Sequence, residues 1–141
     1  MHIKLADYGS AKLISTTSET EDFQGTLSYV SPEMIARQPT GPACDIWALG
    51  IILYKLYTGD FPFEGENEDE TFDLIQNSEP SFPEGLPTPV IDIIKQCLLK
   101  DPDQRYGSGG YQTYFSHDFF KGIKFDTLCI QDSVLEKPRL R

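Results

Sequence analysis

The sequence predicts a mainly α-helical domain with one short β strand, and three observations support this fold class. Three segments place apolar residues at helical spacing between turns that contain Gly and Pro. Apolar and polar residues alternate as in a strand only over residues 2–6. A chain of 141 residues with 39% apolar side chains can bury a core, as one domain or as part of a larger one.

The first elements along the chain are the strand and a long loop. The strand over residues 2–6 ends in a turn at Gly9, and residues 10–31 have neither a helical nor a strand period. A loop of this length inside a compact domain is usually functional or disordered. One strand is too little for a sheet of its own, so we expect it to pair with a segment outside this chain.

Helical segments follow the loop. Ser31 is expected to cap a short helix over residues 31–38, with Pro32 at its first helical position. Longer helices are predicted over residues 45–58, 68–77 and 89–100, and residues 114–120 form a short closing segment. The helix over residues 45–58 is apolar on nearly every face, which predicts that other elements enclose it.

The charge and cysteine content argue against several classes of function. A net charge of −10 disfavours nucleic-acid binding, which needs clustered Lys and Arg. Cys44, Cys97 and Cys129 are far apart and form no CxxC pair, so neither a disulfide framework nor a zinc site is expected. This usage favours a reducing compartment, and a cytoplasmic location is predicted. The start of the chain has no signal-peptide pattern, and its most apolar segment, residues 46–57, is too short to span a bilayer.

An acidic run leads into the helix predicted over residues 68–77. It consists of Glu64, Glu66, Glu68, Asp69 and Glu70. Two interpretations stay open: a solvated loop that places acids at the positive end of the helix, or a docking surface for basic peptides.

Four short motifs occur in one order along the chain. They are Asp7-Tyr8-Gly9, Ser31-Pro32-Glu33, Asp45 followed by Trp47 and Gly50, and the DPDQR loop with Arg105; Glu33 lies 26 residues after Asp7. Together they resemble the Asp-Phe-Gly, Ala-Pro-Glu, central-helix and arginine-loop motifs of eukaryotic protein kinases. The resemblance covers residues 1–120, leaves residues 121–141 as a C-terminal tail, and is greatest to the phosphoinositide-dependent kinases of the AGC group. It implies the C-terminal helical lobe of the kinase fold with its activation segment, which runs from Asp7 to Glu33, the N-lobe being absent.

The resemblance implies a role for residues at both ends of the activation segment. Asp7 would bind the Mg²⁺ that bridges the nucleotide phosphates, and Gly9 would allow the sharp turn beside the nucleotide. An ordinary Asp-x-Gly turn is the alternative interpretation of these two residues. Gly25, Thr26 and Tyr29 would position the substrate, and Thr26 favours Ser/Thr specificity over Tyr specificity.

Three further residues would support this segment. By the same resemblance, Glu33 and Arg105 would form a buried ion pair that anchors the segment to the helical body. Asp45 is a candidate N-cap of the central helix. It would also bond the backbone of a catalytic loop, and the two roles are compatible.

Two departures from the AGC pattern concern regulation and specificity. Asp22 stands where the group usually has its activation phosphosite, so that a permanent charge replaces the phosphate, or the switch lies at Ser18 or Thr20. Lys55 stands where many Arg-directed kinases have Glu, which argues against simple Arg-directed specificity.

The chain contains no glycine-rich phosphate loop, no strand lysine and no His-Arg-Asp catalytic loop, so no catalytic residue is assigned to it. We therefore expect it to be part of a longer Ser/Thr kinase that uses ATP and Mg²⁺ on protein substrates, and to be inactive without the N-lobe. A non-catalytic, kinase-like protein-binding module is the alternative.

Overall fold

A computed structural model describes residues 4–11, 26–108, 110 and 115–127 of the protein. Four α-helices lie within these residues: α1 Pro32–Ile35, α2 Ala43–Thr58, α3 Glu68–Asn77 and α4 Thr88–Cys97. Short 3₁₀ turns lie at Tyr8–Ser10, Leu27–Tyr29, Asp118–Phe120 and Phe125–Thr127. The prediction of a mainly α-helical chain is confirmed.

The short strand predicted over residues 2–6 differs from this structure. Residues 4–6 are irregular and exposed, and residues 2 and 3 lie outside the described part of the chain. A strand needs a hydrogen-bonded neighbour, and the part of the chain that the structure describes contains no second strand. The stretch that alternates apolar and polar residues therefore has no described strand with which to pair.

The helix starts agree only in part with the capping signals. Ser31 precedes α1 and Pro32 is its first residue, as predicted, but the Ser31 hydroxyl makes no capping hydrogen bond. The N-cap prediction for Asp45 is wrong, because α2 begins at Ala43 after Pro42 and Asp45 lies inside the first turn. A carboxylate there still faces the positive end of the helix dipole.

The start of α3 explains much of the acidic run. The Asn67 side chain accepts the Glu70 backbone N–H at 2.9 Å, and the Glu70 carboxylate accepts the Glu66 N–H at 2.7 Å. Glu68, Asp69 and Glu70 form the first turn of the helix. Acids at this end are favoured by the exposed N–H groups, which supports the interpretation as a solvated helix start.

The core lies mainly between α2 and α4, which make the largest helix–helix contact of the described residues. Its buried apolar residues are Val30, Trp47, Ile51, Tyr54, Phe63, Ile75, Val90, Ile93, Ile94, Cys97, Leu98 and Tyr106. A Cβ added at Gly50 would lie 2.7 Å from Cys97 Cβ and 2.8 Å from Leu98 Cδ2. Glycine at this position therefore sets how closely the two helices approach.

The opposite face of α2 is apolar and exposed. Leu49, Ile52 and Leu56, at helical spacing, are 40%, 44% and 75% exposed. The described residues thus cover only one side of α2, although its sequence is apolar on nearly every face. None of the described helices has the length and apolar character needed to cross a membrane.

The closing segment is held to α4 through a histidine. His117 Nε2 lies 2.9 Å from Asp92 Oδ2, and its Nδ1 accepts the Phe119 N–H at 3.0 Å. Because Nδ1 accepts, the ring proton belongs on Nε2 and is donated to Asp92. The imidazole thus both caps the Asp118–Phe120 turn and fixes that turn against the helix.

Gly50→Ala should destabilise the protein by about 1–3 kcal/mol, because the new methyl group overpacks the α2–α4 contact, although alanine is the better helix former. Urea denaturation of the variant and of the unmodified chain measures the difference. Gly41→Ala is the matched control, because no atom lies within 4 Å of a Cβ added there. Equal stability of the two variants would show that the helices have room at residue 50.

Candidate functional site

The centre of the site is a buried, two-pronged ion pair between Glu33 and Arg105. Arg105 Nη1 lies 2.8 Å from Glu33 Oε1, and Nη2 lies 3.0 Å from Oε2. The Arg105 and Glu33 side chains are 0% and 2% exposed. Glu33 is in the first turn of α1, and Arg105 lies in the loop after α4, so the pair joins segments 72 residues apart. Parallel hydrogen bonds of this kind are strong and geometrically selective.

The rest of the Arg105 guanidinium binds the backbone. Nη1 donates to the carbonyl of Ala43 at 2.7 Å, Nε donates to that of Leu99 at 3.0 Å, and Nη2 donates to that of Lys100 at 3.3 Å. With the two bonds to Glu33, these account for the five N–H donors of an arginine. One side chain therefore ties α1, the start of α2 and the loop after α4 to one another.

Ser31 and Cys44 complete the surroundings of the Glu33 carboxylate. The Ser31 hydroxyl donates to Cys44 Sγ at 3.3 Å, and the Cys44 thiol donates to Glu33 Oε1 at 3.2 Å. Burial acts to raise the pKa of Glu33, but hydrogen bonds from Arg105 and the charge of Arg105 leave that pKa below 4.5. Burial and the neighbouring carboxylate raise the pKa of Cys44, so it remains a thiol donor at neutral pH.

The start of the segment holds Asp7 in an unusual backbone conformation. Its φ is 62°, in the left-handed region, and its Oδ1 accepts the Gly9 N–H at 3.4 Å. The Asp7 side chain is exposed. The Tyr8 ring is 69% exposed, and its hydroxyl donates to the Leu5 carbonyl at 3.2 Å. The turn therefore presents the Asp7 carboxylate to solvent.

Four of the predicted site residues, Ser18, Thr20, Asp22 and Gly25, lie outside the described residues. Their regulatory and substrate-positioning roles stay predictions.

The end of the segment packs against the loop after α2. Thr26 is exposed, and its carbonyl accepts the Tyr29 N–H at 3.0 Å. The Tyr29 ring meets the Phe61 ring edge to face, with centroids 5.6 Å apart. Lys55 Nζ lies 3.5 Å from the centroid of the same Phe61 ring. An aromatic pair thus joins the segment end to the last turn of α2 and its lysine.

The structure brings some predicted site residues together and leaves others apart. Glu33 and Arg105 meet, whereas no hydrogen bond joins Asp7 to Thr26 or to either member of the ion pair. Asp45 is exposed, and its carboxylate has no hydrogen-bond partner among residues 4–11, 26–108, 110 and 115–127. The partner predicted for it, a catalytic-loop backbone, does not occur in this sequence.

Lys100, which no sequence pattern indicates as a site residue, lies close to the ion pair. Its Nζ donates to the Ile75 carbonyl at 2.6 Å and lies 4.2 Å above the Phe63 ring and 5.1 Å above the Trp47 ring. Burial lowers the pKa of Lys100 to about 8. No sequence signal identifies this role, because its hydrogen-bond partner is a backbone carbonyl and its aromatic neighbours come from elsewhere in the chain.

Metal chemistry at this site would depend on a single side chain. Within the described ranges, no group of three or more His, Cys, Asp or Glu side chains could hold a metal ion. The exposed Asp7 can supply one carboxylate ligand, so the other ligands of a bound cation would have to come from a nucleotide, water or other protein groups.

Comparison with known proteins agrees with the motifs and the ion pair. The protein kinase domain model matches residues 1–120, and the chain belongs to the protein kinase domain family. Proteins of this family generally use ATP and Mg²⁺.

Several curated relatives are protein kinases C. Protein kinase C eta type from Rattus norvegicus is 40% identical over 141 residues, covering 97% of this chain and 20% of that protein. The Homo sapiens protein of the same name is 40% identical over 131 residues, covering 90% and 19%. Protein kinase C-like from Hypocrea jecorina is 38% identical over 130 residues, covering 90% and 11%.

The chain therefore spans a fifth or less of the length of these relatives. Their names support a Ser/Thr kinase of the AGC group. The narrower resemblance to the phosphoinositide-dependent kinases stays a prediction.

Removing one partner of the ion pair should destabilise the protein by about 3–5 kcal/mol, because a buried charge is left uncompensated. Arg105→Met should cost more than Glu33→Gln, because it also leaves the Ala43, Leu99 and Lys100 carbonyls without their donor. The double variant should cost less than the sum of the two single variants. Urea denaturation of the three variants measures these costs and the coupling between the two side chains. Single-variant costs below about 1 kcal/mol would contradict the predicted contribution of the ion pair to stability.

The lowered pKa of Lys100 predicts a rise of stability with pH. The folded pKa is about 8 against a usual 10.5, so between these values the unfolded chain binds more protons and the free energy of unfolding increases. The buried cysteines act in the opposite sense, because burial raises the pKa of Cys97 from 9.0 to about 12 and also raises the pKa of Cys44, so stability falls as the thiols of the unfolded chain ionise around pH 9. Between pH 7 and pH 8 those thiols are still mostly protonated, while Lys100 of the folded chain already loses protons, so this interval reports mainly on Lys100.

Urea denaturation across that interval should show a rising free energy of unfolding in the unmodified chain and a flatter profile in Lys100→Met. Lys121→Met, which replaces an exposed lysine, is the control and should keep the rise. The same slope in Lys100→Met and the unmodified chain would be the contrary result.

Proposed function

We propose that this chain is the C-lobe part of a Ser/Thr protein kinase, which transfers the γ-phosphate of ATP to Ser and Thr hydroxyls of protein substrates. The observation that carries the proposal is the buried Glu33–Arg105 pair, which fixes the end of the segment that begins at Asp7. Phosphoryl transfer requires mainly positioning and charge neutralisation from the protein. A segment anchored at one end by such a pair is suited to positioning.

Asp7 is proposed as a ligand of Mg²⁺, and its surroundings fit that role. The carboxylate is exposed and has no cationic partner within the described residues, and its one hydrogen bond is to the Gly9 N–H. Mg²⁺ commonly takes one or two protein carboxylates and completes its shell with phosphate and water oxygens. When bound, the ion supplies neutralisation of the phosphate charge. Gly9 keeps the backbone beside the nucleotide free of a side chain.

The other predicted residues are proposed to position the peptide substrate, to hold the catalytic loop and to regulate the segment. The exposed Thr26 hydroxyl, with Gly25 before it and Tyr29 after it, would hold the region that accepts the peptide. The exposed Asp45 carboxylate would accept hydrogen bonds from the backbone of a catalytic loop. Ser18, Thr20 or the permanent charge of Asp22 would set the activity of the segment.

The apolar exposed face of α2 supports a further part of the proposal, that the chain works together with the rest of a kinase domain. Leu49, Ile52 and Leu56 present an unpartnered stripe, and such a stripe normally contacts another protein element. The sequence itself holds no phosphate loop and no catalytic-loop aspartate. ATP binding and transfer would therefore require an N-lobe and the catalytic loop, and the assembled enzyme is proposed to act in the cytoplasm.

Asp7→Asn in a reconstituted kinase tests this function. The chain is joined in frame to the preceding part of the kinase domain of the protein kinase C eta type, and transfer of labelled phosphate to a serine peptide is measured. Asparagine keeps the acceptor for the Gly9 N–H and tolerates a positive φ, so the turn survives while the charge is lost. Transfer should fall by at least about a hundredfold, the scale at which an enzyme loses a charge-stabilising group.

Asp60→Asn is the matched control, because it removes the charge of an exposed acid outside the proposed site and should leave transfer unchanged. Undiminished transfer in Asp7→Asn would refute the metal-binding role. A folded chimera without any transfer would instead favour a non-catalytic, kinase-like binding module.

A further inference from the structure

We propose that Lys55 makes this lobe select peptides that carry one anionic side chain, a carboxylate or a phosphate, near the residue to be phosphorylated. The proposal rests on the proposed function, because it assumes that the peptide binds beside the Thr26–Tyr29 end of the activation segment. It deepens that function by naming the class of substrate.

The position of Lys55 follows from two aromatic contacts. Lys55 is in the last turn of α2, and its Nζ lies 3.5 Å from the centroid of the Phe61 ring. Phe61 in turn contacts Tyr29 edge to face at 5.6 Å. Tyr29 ends the 3₁₀ turn that follows Thr26. The ammonium is therefore two ring contacts away from the segment proposed to hold the peptide.

The Phe61 ring restrains the ammonium without neutralising it. A cation over an aromatic face is attracted by the ring quadrupole and keeps its full charge. The Lys55 side chain is exposed, so the ammonium can still meet a ligand. Because the ring already restricts the side-chain rotamers, binding a ligand anion costs less conformational entropy than it would for a freely moving lysine.

No acid of the described residues competes for this ammonium. Between Thr26 and Phe63 the sequence has three acids, Glu33, Asp45 and Asp60. Glu33 is committed to Arg105. Arg105 pairs with Glu33, Asp92 accepts the hydrogen bond of His117, and no Asp or Glu of the described residues forms a salt bridge with Lys55. An exposed charge that is held in place and left unpaired attracts opposite charge and repels like charge.

The nearby acidic run limits this preference to one position of the peptide. Glu64, Glu66, Glu68, Asp69 and Glu70 follow Phe63 in the chain and are exposed. Their field repels a peptide with many acids. A single anionic side chain that reaches Lys55 gains the attraction without this general repulsion, so the selection is for one acid in one place.

Peptide binding to the full 141-residue chain tests the proposal directly. Fluorescent peptides have a central serine in a neutral background, and Asp, phosphoserine, Arg or Ala is placed at one flanking position at a time. Fluorescence anisotropy at about 50 mM salt gives the dissociation constants. At one position, Asp should bind roughly three- to fivefold more tightly than Ala, phosphoserine at least as tightly as Asp, and Arg more weakly. Tight binding of phosphoserine alone would still support an anion site and would identify a phosphate as its ligand.

Three variants make the test specific. Lys55→Gln should abolish the preference, and Lys55→Glu should reverse it, so that Arg binds best at the same position. Lys95→Glu is the matched control and should change nothing, because Lys95 also lies over a ring, Phe82 at 5.8 Å, and that ring contacts Tyr54 rather than Tyr29. A flat profile, or a preference that Lys55→Glu leaves unchanged, would overturn the proposal.

Failure of the anion-site proposal can be distinguished from failure of the proposed kinase function. A preference that depends on Lys55, together with a chimera that transfers no phosphate, would support the anion site and refute the kinase activity. An active chimera with no preference that depends on Lys55 would refute the anion site alone.

Discussion

The structure depends on the pairing of one buried acid with one buried base, Glu33 and Arg105. A charge that has lost its water needs a partner and complete hydrogen bonding, and Arg105 obtains both by using all five of its donors. Those donors reach α1, the start of α2 and the loop after α4. The helices could form by their own periodicity, whereas this pair fixes α1 against the start of α2 and the loop after α4. In the chain, α1 follows the stretch that contains Asp7 and Thr26, the residues proposed to bind Mg²⁺ and to position the substrate.

Two further polar side chains, Cys44 and Lys100, lie beside the Glu33–Arg105 pair. Cys44 remains a thiol because burial and the Glu33 charge raise its pKa, so it donates to the carboxylate that Arg105 also binds. Lys100 is partly buried against Trp47 and Phe63, and it meets the Ile75 carbonyl instead of an acid. Only one formal negative charge therefore faces Arg105 at close range, and the second cation is stabilised by aromatic faces and a carbonyl. The carboxylates of Asp7 and Asp45 are exposed, and neither pairs with a cationic side chain of the described residues.

Much of the fold could be predicted from the sequence, because the helices have clear apolar periodicity. The α3 bounds agree with the prediction at both ends, and α2 ends at Thr58 as predicted. Its start was misplaced because the geometry at Pro42 and Ala43, and not the capping preference of Asp45, begins the helix. The strand prediction depended on a neighbour that the described residues do not contain. The predicted partners Glu33 and Arg105 are observed in contact. The Cys44 and Lys100 contacts could not be predicted, because one joins a thiol to two polar groups and the other joins an amine to a backbone carbonyl.

The central claim is that the Glu33–Arg105 pair, and not local helix propensity, holds the end of the activation segment on the helical body. Its most direct test is hydrogen exchange of the α1 amides, which bond within the segment from Ser31 to Gln38. In Arg105→Met these amides should exchange much faster than in the unmodified chain, while the amides of α3, over Glu68–Asn77, keep most of their protection. Unchanged protection of α1 in that variant would contradict the account.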